Sequence, residues 1–249
     1  MADNTETERG YIVAKSNHLV QRSRYNLTET EQKIVLYLIS KIQPDDEQLQ
    51  PYTFTISEFC KLCGIDCTRS RSMYEYIRRV IQTLSDKSFW IQQENGKVLC
   101  RWIVKARTDD DSLNLTVRLD DDLAPYLLQL RDCFTAYELE CVLAMHSKYA
   151  IRLYEILKSY ANLGGWTVDL DELRDILCLE GAYQQFRELR RNILDKAIPE
   201  INEYSDLRVT WEPITKGRKV TAIYFSISRK GYGEYPHTRS ARSARLDRS

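Results

Sequence analysis

Residues 166–227 constrain the fold more than any other part of the chain. Trp166-Thr167-Val168 is a short apolar stretch with strand character, and Asp169-Leu170-Asp171-Glu172 opens a helix. After a tight connection at Leu179-Glu180-Gly181, residues 183–196 place Phe186, Leu189, Ile193 and Ala197 on one helical face. Two β-like runs, 207–211 and 220–227, then flank Lys216-Gly217-Arg218-Lys219. Helix, turn, basic helix and a hairpin with a basic tip is the layout of a winged helix-turn-helix. That layout suits duplex DNA, because a helix fits the major groove and a hairpin tip can reach phosphates.

The same plan is expected earlier in the chain. Thr28 and Glu31 have capping-box spacing at the start of a helix over residues 27–42, which Pro44 ends. Tyr52-Thr53-Phe54 reads as a strand, and Thr55 with Glu58 starts a helix over 56–62 that Gly64 stops. A polar turn over 66–70 leads to a helix over 71–87, whose core face carries Met73, Ile77, Val80, Ile81 and Leu84. Asn95-Gly96 is a hairpin signal between apolar runs, and Leu113, Leu115, Val117 and Leu119 alternate as in a half-buried strand. Thr135 with Glu138 is read as a third capping box, opening a helical region that runs to about Ala161 before Gly164-Gly165. Asp169 with Glu172 is the fourth. Matching the Thr28 and Thr135 helices, the Thr55 and Asp169 helices, 71–87 with 183–196, and the Asn95-Gly96 hairpin with the 216–219 hairpin gives an internal repeat. The expected fold is α+β: two tandem winged-helix domains, 11–130 and 131–230. Residues 1–10 and a basic tail, 231–249, are expected to be disordered.

Lys plus Arg and Asp plus Glu each number 36, so the formal net charge is zero. The balance hides a gradient of about −6 over residues 1–182 and about +6 over 183–249. No apolar run reaches the length of a membrane span, and the polar, acidic start lacks the features of a signal peptide. The seven cysteines are scattered, which fits free thiols in a reducing cytoplasm, the expected location.

On the helix over 183–196, Gln184, Gln185, Arg187 and Arg191 have the donors and acceptors that read adenine and guanine edges. The plainer reading is a solvated amphipathic face, but the flanking helix and basic wing favour DNA. Pro199 is expected to end or kink this helix. Lys216, Arg218 and Lys219 repel one another on a tight loop unless an anion sits there. The first helix-turn-helix offers Arg69, Arg71, Arg78 and Arg79, beside a less basic hairpin and acidic runs. Lys148 and Arg152, one turn apart, can pin a phosphate or simply lie on an exposed face. Cys60, Cys63 and Cys67 lack a nearby fourth ligand, so no metal is expected, nor any other cofactor. Enzymatic classes fare poorly. There is no phosphate-binding loop motif and no nucleophile elbow. His18, His146 and His237 are far apart, whereas a metal-dependent nicking enzyme needs a clustered pair.

The segments 152–160, 170–177, 186–202 and 217–225 closely resemble the initiator replication proteins of iteron plasmids, and a looser match extends over 12–230. The resemblance is carried by Leu189-Arg190-Arg191-Asn192-Ile193-Leu194-Asp195-Lys196-Ala197-Ile198-Pro199-Glu200-Ile201-Asn202 and by Gly217-Arg218-Lys219-Val220-Thr221. It implies a non-enzymatic initiator that binds directly repeated iterons at an origin and helps melt adjacent DNA. It also implies partners: a host initiator ATPase, the replicative helicase, and a second copy in an autorepressing dimer. By position, Arg187, Arg190 and Arg191 fall on the family's recognition helix, Lys148 and Arg152 on the preceding helix, and Arg218 and Lys219 on the wing. Pro199 departs from the pattern. The alternatives are a tandem winged-helix repressor without a replication role, and a nicking initiator with a tyrosine nucleophile.

Overall fold

The computed structural model describes residues 11–63, 70–109, 114–231 and 234. Two compact units meet the eye, residues 1–139 and 140–249.

The first unit opens with β1 (Ile12–Ser16), α1 (Asn17–Arg22) and β2 (Ser23–Arg24). Its centre is α2 (Glu29–Ser40), where Ile34 to Ile39 are all buried. A helix that is apolar all round belongs inside. The expected capping box is present: Thr28 accepts from the Glu31 amide, and the Glu31 carboxylate accepts from the Thr28 amide at 2.7 Å. There follow β3 (Tyr52–Thr55), α3 (Ile56–Leu62) and α4 (Ser70–Ser85). Ile77, Ile81 and Leu84 of α4 are buried, while Met73 and Val80 are only half-buried. Two hairpins come next, β4 (Ser88–Gln93) with β5 (Gly96–Arg101), and β6 (Ile103–Thr108) with β7 (Asn114–Leu119). The unit ends with α5 (Ala124–Leu127) and β8 (Phe134–Glu138).

Two expectations change here. The segment around Thr135 is not a helix start but a strand, paired antiparallel with β1. Thr135 and Tyr137 are buried, while Phe134, Ala136 and Glu138 are exposed. This two-residue alternation overrides the Thr-x-x-Glu spacing, and the Thr135 hydroxyl donates to Asn17 Oδ1 at 2.6 Å instead of capping. The first unit therefore extends to Leu139 rather than stopping at 130. The wing also moves. β3 pairs with β7, and β7 with β6, whereas the Asn95-Gly96 hairpin pairs with β2 in a separate sheet. The counterpart of the basic second hairpin is thus β6–β7, and its connection carries Asp109, Asp110 and Asp111.

The second unit comprises α6 (Glu140–Leu143), α7 (Lys148–Ser159), β9 (Gly165–Asp169), α8 (Leu170–Ile176), α9 (Phe186–Leu189), a π turn at Arg190–Leu194, α10 (Asp195–Tyr204), and the hairpin β10 (Leu207–Lys216) with β11 (Lys219–Arg229). The sheet order β10-β11-β9 repeats the order β6-β7-β3 of the first unit. In the repeat the counterpart of α2 is α7, buried from Ala150 to Leu157. Ser147 caps its start, and the Glu200 carboxylate accepts from the amides of His146 and Ser147 at 2.9 and 3.0 Å. Asp169 makes no side-chain cap on α8.

Phe186 to Tyr204 is one continuous helical run, with Leu189, Ile193, Leu194, Ala197, Ile198 and Ile201 buried. Pro199 lies inside it rather than ending it. A proline crowds the carbonyl four residues back, here that of Asp195, where the π turn gives way to α-helix. There the Asp195 amide bonds Arg190 O, five residues back, so the ladder is already out of α register. Asn202 then ties the helix to β10 through two bonds with the Val209 backbone at 2.7 and 2.8 Å.

Candidate nucleic-acid interface

The first part of the helical run, up to Arg191, exposes a basic side. Arg187, Arg190 and Arg191 are exposed, as are Gln184 and Gln185 just before the first helical turn. Tyr183, Gln184 and Gln185 were expected to be helical, but the helix begins at Phe186. Among the described residues, no hydrogen bond or ion pair engages the side chains of Arg187 and Arg191. Arg190 is different. Its Nε reaches the Asp195 carboxylate at 3.3 and 3.4 Å, and its guanidinium lies 5.7 Å from the Trp211 ring centre. Trp211 in turn meets Phe186 edge to face at 6.1 Å.

The hairpin tip presents the other cations. Lys216 pairs with Lys219 across a two-residue turn, Gly217-Arg218. Gly217 has φ +64, a conformation that glycine adopts without steric cost, as the first position of a type II′ turn requires. Lys216, Arg218 and Lys219 are all exposed, and no acidic partner holds them among the described residues. An irregular register between Ile214 and Thr215 bends the arm that carries them.

Other expected site residues lie elsewhere. Arg152 is 3% exposed, because α7 is the central helix of its unit and buries the face on which that side chain sits. It is not a surface partner for Lys148 on a phosphate. Lys148 is half-buried with its ammonium 4.9 Å from the ring centre of Tyr149. In the first unit, Arg78 donates to Thr108 Oγ1 at 3.2 Å and faces Glu75 at 3.6 Å, which holds it against β6. Arg69 and the side chain of Arg71 lie outside the described residues, as does Cys67. Among the described residues no group of His, Cys, Asp or Glu can hold a metal, and no helix is long and apolar enough to cross a membrane.

One positioning residue escaped the sequence reading. Arg174 of α8, with a side chain only 14% exposed, donates from Nη2 to Gln184 O at 2.8 Å and from Nε to Tyr183 O at 3.3 Å. It clamps the connection between the two helices of the motif. That connection is unusual in its backbone: Cys178, Glu180, Gly181 and Tyr183 all have positive φ. Left-handed conformations cost non-glycine residues about 1 kcal/mol or more each, so the turn needs external support. Periodicity cannot reveal such a clamp, because the bonds go to backbone carbonyls.

Comparison with known proteins follows the same outline. The family model for "Initiator Replication protein, WH1" matches residues 12–158, and that for "Initiator Rep protein, WH2" matches residues 169–227. An Escherichia coli replication initiation protein is 26% identical over 227 residues, covering 87% of this chain and 69% of that one. A second Escherichia coli protein, described only as an uncharacterized 27.6 kDa protein, is 21% identical over 225 residues, with 85% and 93% coverage. The crystal structure of the Pi initiator protein in complex with iteron DNA superposes with a TM-score of 0.70 at 19% identity, over 88% of this chain and 98% of that one. The two family models together span most of the chain. The chain therefore belongs to the initiator replication protein family and carries its two winged-helix domains, WH1 and WH2, in tandem.

Proposed function

We propose that this chain initiates plasmid-type replication by binding repeated sites at an origin, with the second unit reading sequence. The observation that carries the reading is the pairing, within that unit, of an exposed basic helix face at Arg187 and Arg191 with an exposed cationic hairpin tip at Lys216, Arg218 and Lys219. The helix supplies base-edge donors, with Gln184 and Gln185 at its entry, and the tip supplies phosphate contacts. Iteron DNA in the Pi complex supports directly repeated sites as the target class. In the first unit the β6–β7 connection is acidic where the second wing is basic. On this reading the first unit makes an auxiliary DNA contact through α4 and takes part in self-association, as the family resemblance implies. Exposed Trp90 and Leu99, opposite each other on β4 and β5, support the latter. Recruitment of a host initiator ATPase and helicase belongs to the same proposal, as does autorepression by the dimer.

The test is binding of the full chain to origin DNA with direct repeats, beside a duplex with the repeats inverted and one with them scrambled. Permanganate footprinting of the adjacent AT-rich segment goes with it. Preference for direct repeats with unpaired thymines next to them is expected of an initiator. Preference for inverted repeats without melting is the signature of a repressor, and would replace this reading.

A further inference from the structure

Arg190 stands out among the cations of this helix, because it is exposed like Arg187 and Arg191 yet has two partners, Asp195 and Trp211. Residues five apart on a regular α-helix lie roughly 140° apart around the axis. The π turn at Arg190–Leu194 removes most of that offset, and so lets Arg190 reach Asp195. Trp211 completes the arrangement. Leu207 and Val209 of β10 are buried, and Trp211 is the next side chain on that face, half-buried where the strand leaves the core for the wing. Its ring takes Phe186, the first residue of the helix, on its edge and the Arg190 guanidinium nearby. The helix entry and the base of the wing are thus joined through one indole.

We infer that Trp211, acting through Arg190 and the π turn, is a positioning residue for DNA recognition: it fixes the recognition helix against the wing base, so that Arg187, Arg191 and the wing tip engage one duplex together. This inference rests on the preceding proposal that the second unit binds duplex DNA. Arg190 on this view does not read bases. Its Nε is held by Asp195 and its guanidinium lies beside Trp211. Its role is to hold the helix entry at a set angle to the hairpin.

The experiment uses the full chain and a duplex that the wild-type protein selects from a randomised library, with an unselected duplex as reference. Trp211→Leu and Arg190→Ala are each expected to weaken binding to the selected duplex by about tenfold, the scale of a cation–π contact joined to an ion pair. Binding to the unselected duplex stays within about twofold, and the salt dependence is unchanged, since no phosphate contact is lost. Trp211→Phe retains the ring and most of the selectivity. The double variant Trp211→Phe/Arg190→Ala is no worse than Arg190→Ala, because the two act as a unit. If Trp211→Leu does not fold, by circular dichroism, that pair of variants decides the matter alone. The inference is overturned if Arg190→Ala weakens both duplexes equally and lowers the salt slope by about 0.9, the mark of a direct phosphate contact. It is also overturned if Trp211→Leu folds and binds like wild type, or if Trp211→Phe/Arg190→Ala is much worse than Arg190→Ala. Full selectivity in Arg187→Ala/Arg191→Ala, by contrast, defeats the underlying reading, whatever the Trp211 variants do.

Discussion

Replacing Arg174 by alanine removes the clamp on the turn that delivers the recognition helix. Its bonds to Gln184 O at 2.8 Å and Tyr183 O at 3.3 Å come from a charged donor with little exposure. A bond from a charged donor contributes about 1.5 kcal/mol or more, and the longer one less. Asp171, the third partner, is 99% exposed, so its ion pair adds little. Tyr183 keeps a left-handed backbone, φ 54, that loses its support. The expected loss for Arg174→Ala is about 2 kcal/mol in the unfolding of the second unit. Arg174→Lys is expected to retain about half of that, since an ammonium reaches one carbonyl but not both in the fork geometry. Urea unfolding followed by circular dichroism measures the loss, with Asp171→Ala as the control for the exposed pair. Hydrogen exchange at Glu188 and Leu189 should accelerate in step, because their amides bond Gln185 O in the first turn after the clamp. If Arg174→Ala unfolds like Asp171→Ala and exchange at those amides is unchanged, the clamp does not support the turn.

Three further outcomes follow from the same reasoning. Glu31 has a side chain 3% exposed and bonds the Thr28 amide and Lys87 Nζ, whose side chain is 32% exposed; Glu31→Gln is expected to destabilise the first unit by about 1–2 kcal/mol, read by urea unfolding, since a half-buried charged hydrogen bond is lost. Burial, and then Asp122 and Asp120, push the Cys100 thiol from 9.0 up to about 11. Its folded form favours the proton, so its contribution is complete below about pH 9 and is lost as pH rises towards about 11; Cys100→Ala should flatten that part of the stability curve measured in urea. Alanine at Lys216, Arg218 and Lys219 together should lower the salt slope of DNA binding by about 2–3 while leaving the ratio of selected to unselected affinity nearly intact.

Much of the fold was legible because local signals agreed with tertiary ones. The Thr28 capping box, the helix at 56–62, the strand at Tyr52 and the alternation through Leu115, Val117 and Leu119 rest on side-chain chemistry that acts within a few residues. Where two local signals competed, the chain chose by pairing. Thr135 and Glu138 have cap spacing, yet the buried pair Thr135 and Tyr137 finds a partner strand over a hundred residues away. The Asn95-Gly96 turn is the stronger hairpin signal in the first unit, but only the strand order identifies β6–β7 as the wing. On the candidate interface, exposure separates Arg187 and Arg191 from Arg152, which a single helical stripe could not do. Arg174 and Trp211 were invisible for a different reason. Their roles depend on backbone carbonyls and on a ring contact across two elements, and neither leaves a spacing in the sequence.

The most direct measurement of the central claim is the affinity of Arg187→Ala/Arg191→Ala for the selected duplex and for an unselected one, beside wild type, at several salt concentrations. Each good base contact discriminates by about 1–3 kcal/mol, so the ratio between the two duplexes is expected to fall by about a hundredfold or more. Circular dichroism should show an unchanged fold, because both side chains are exposed. A ratio that survives the double change would contradict the account and move sequence recognition away from the helix of the second unit.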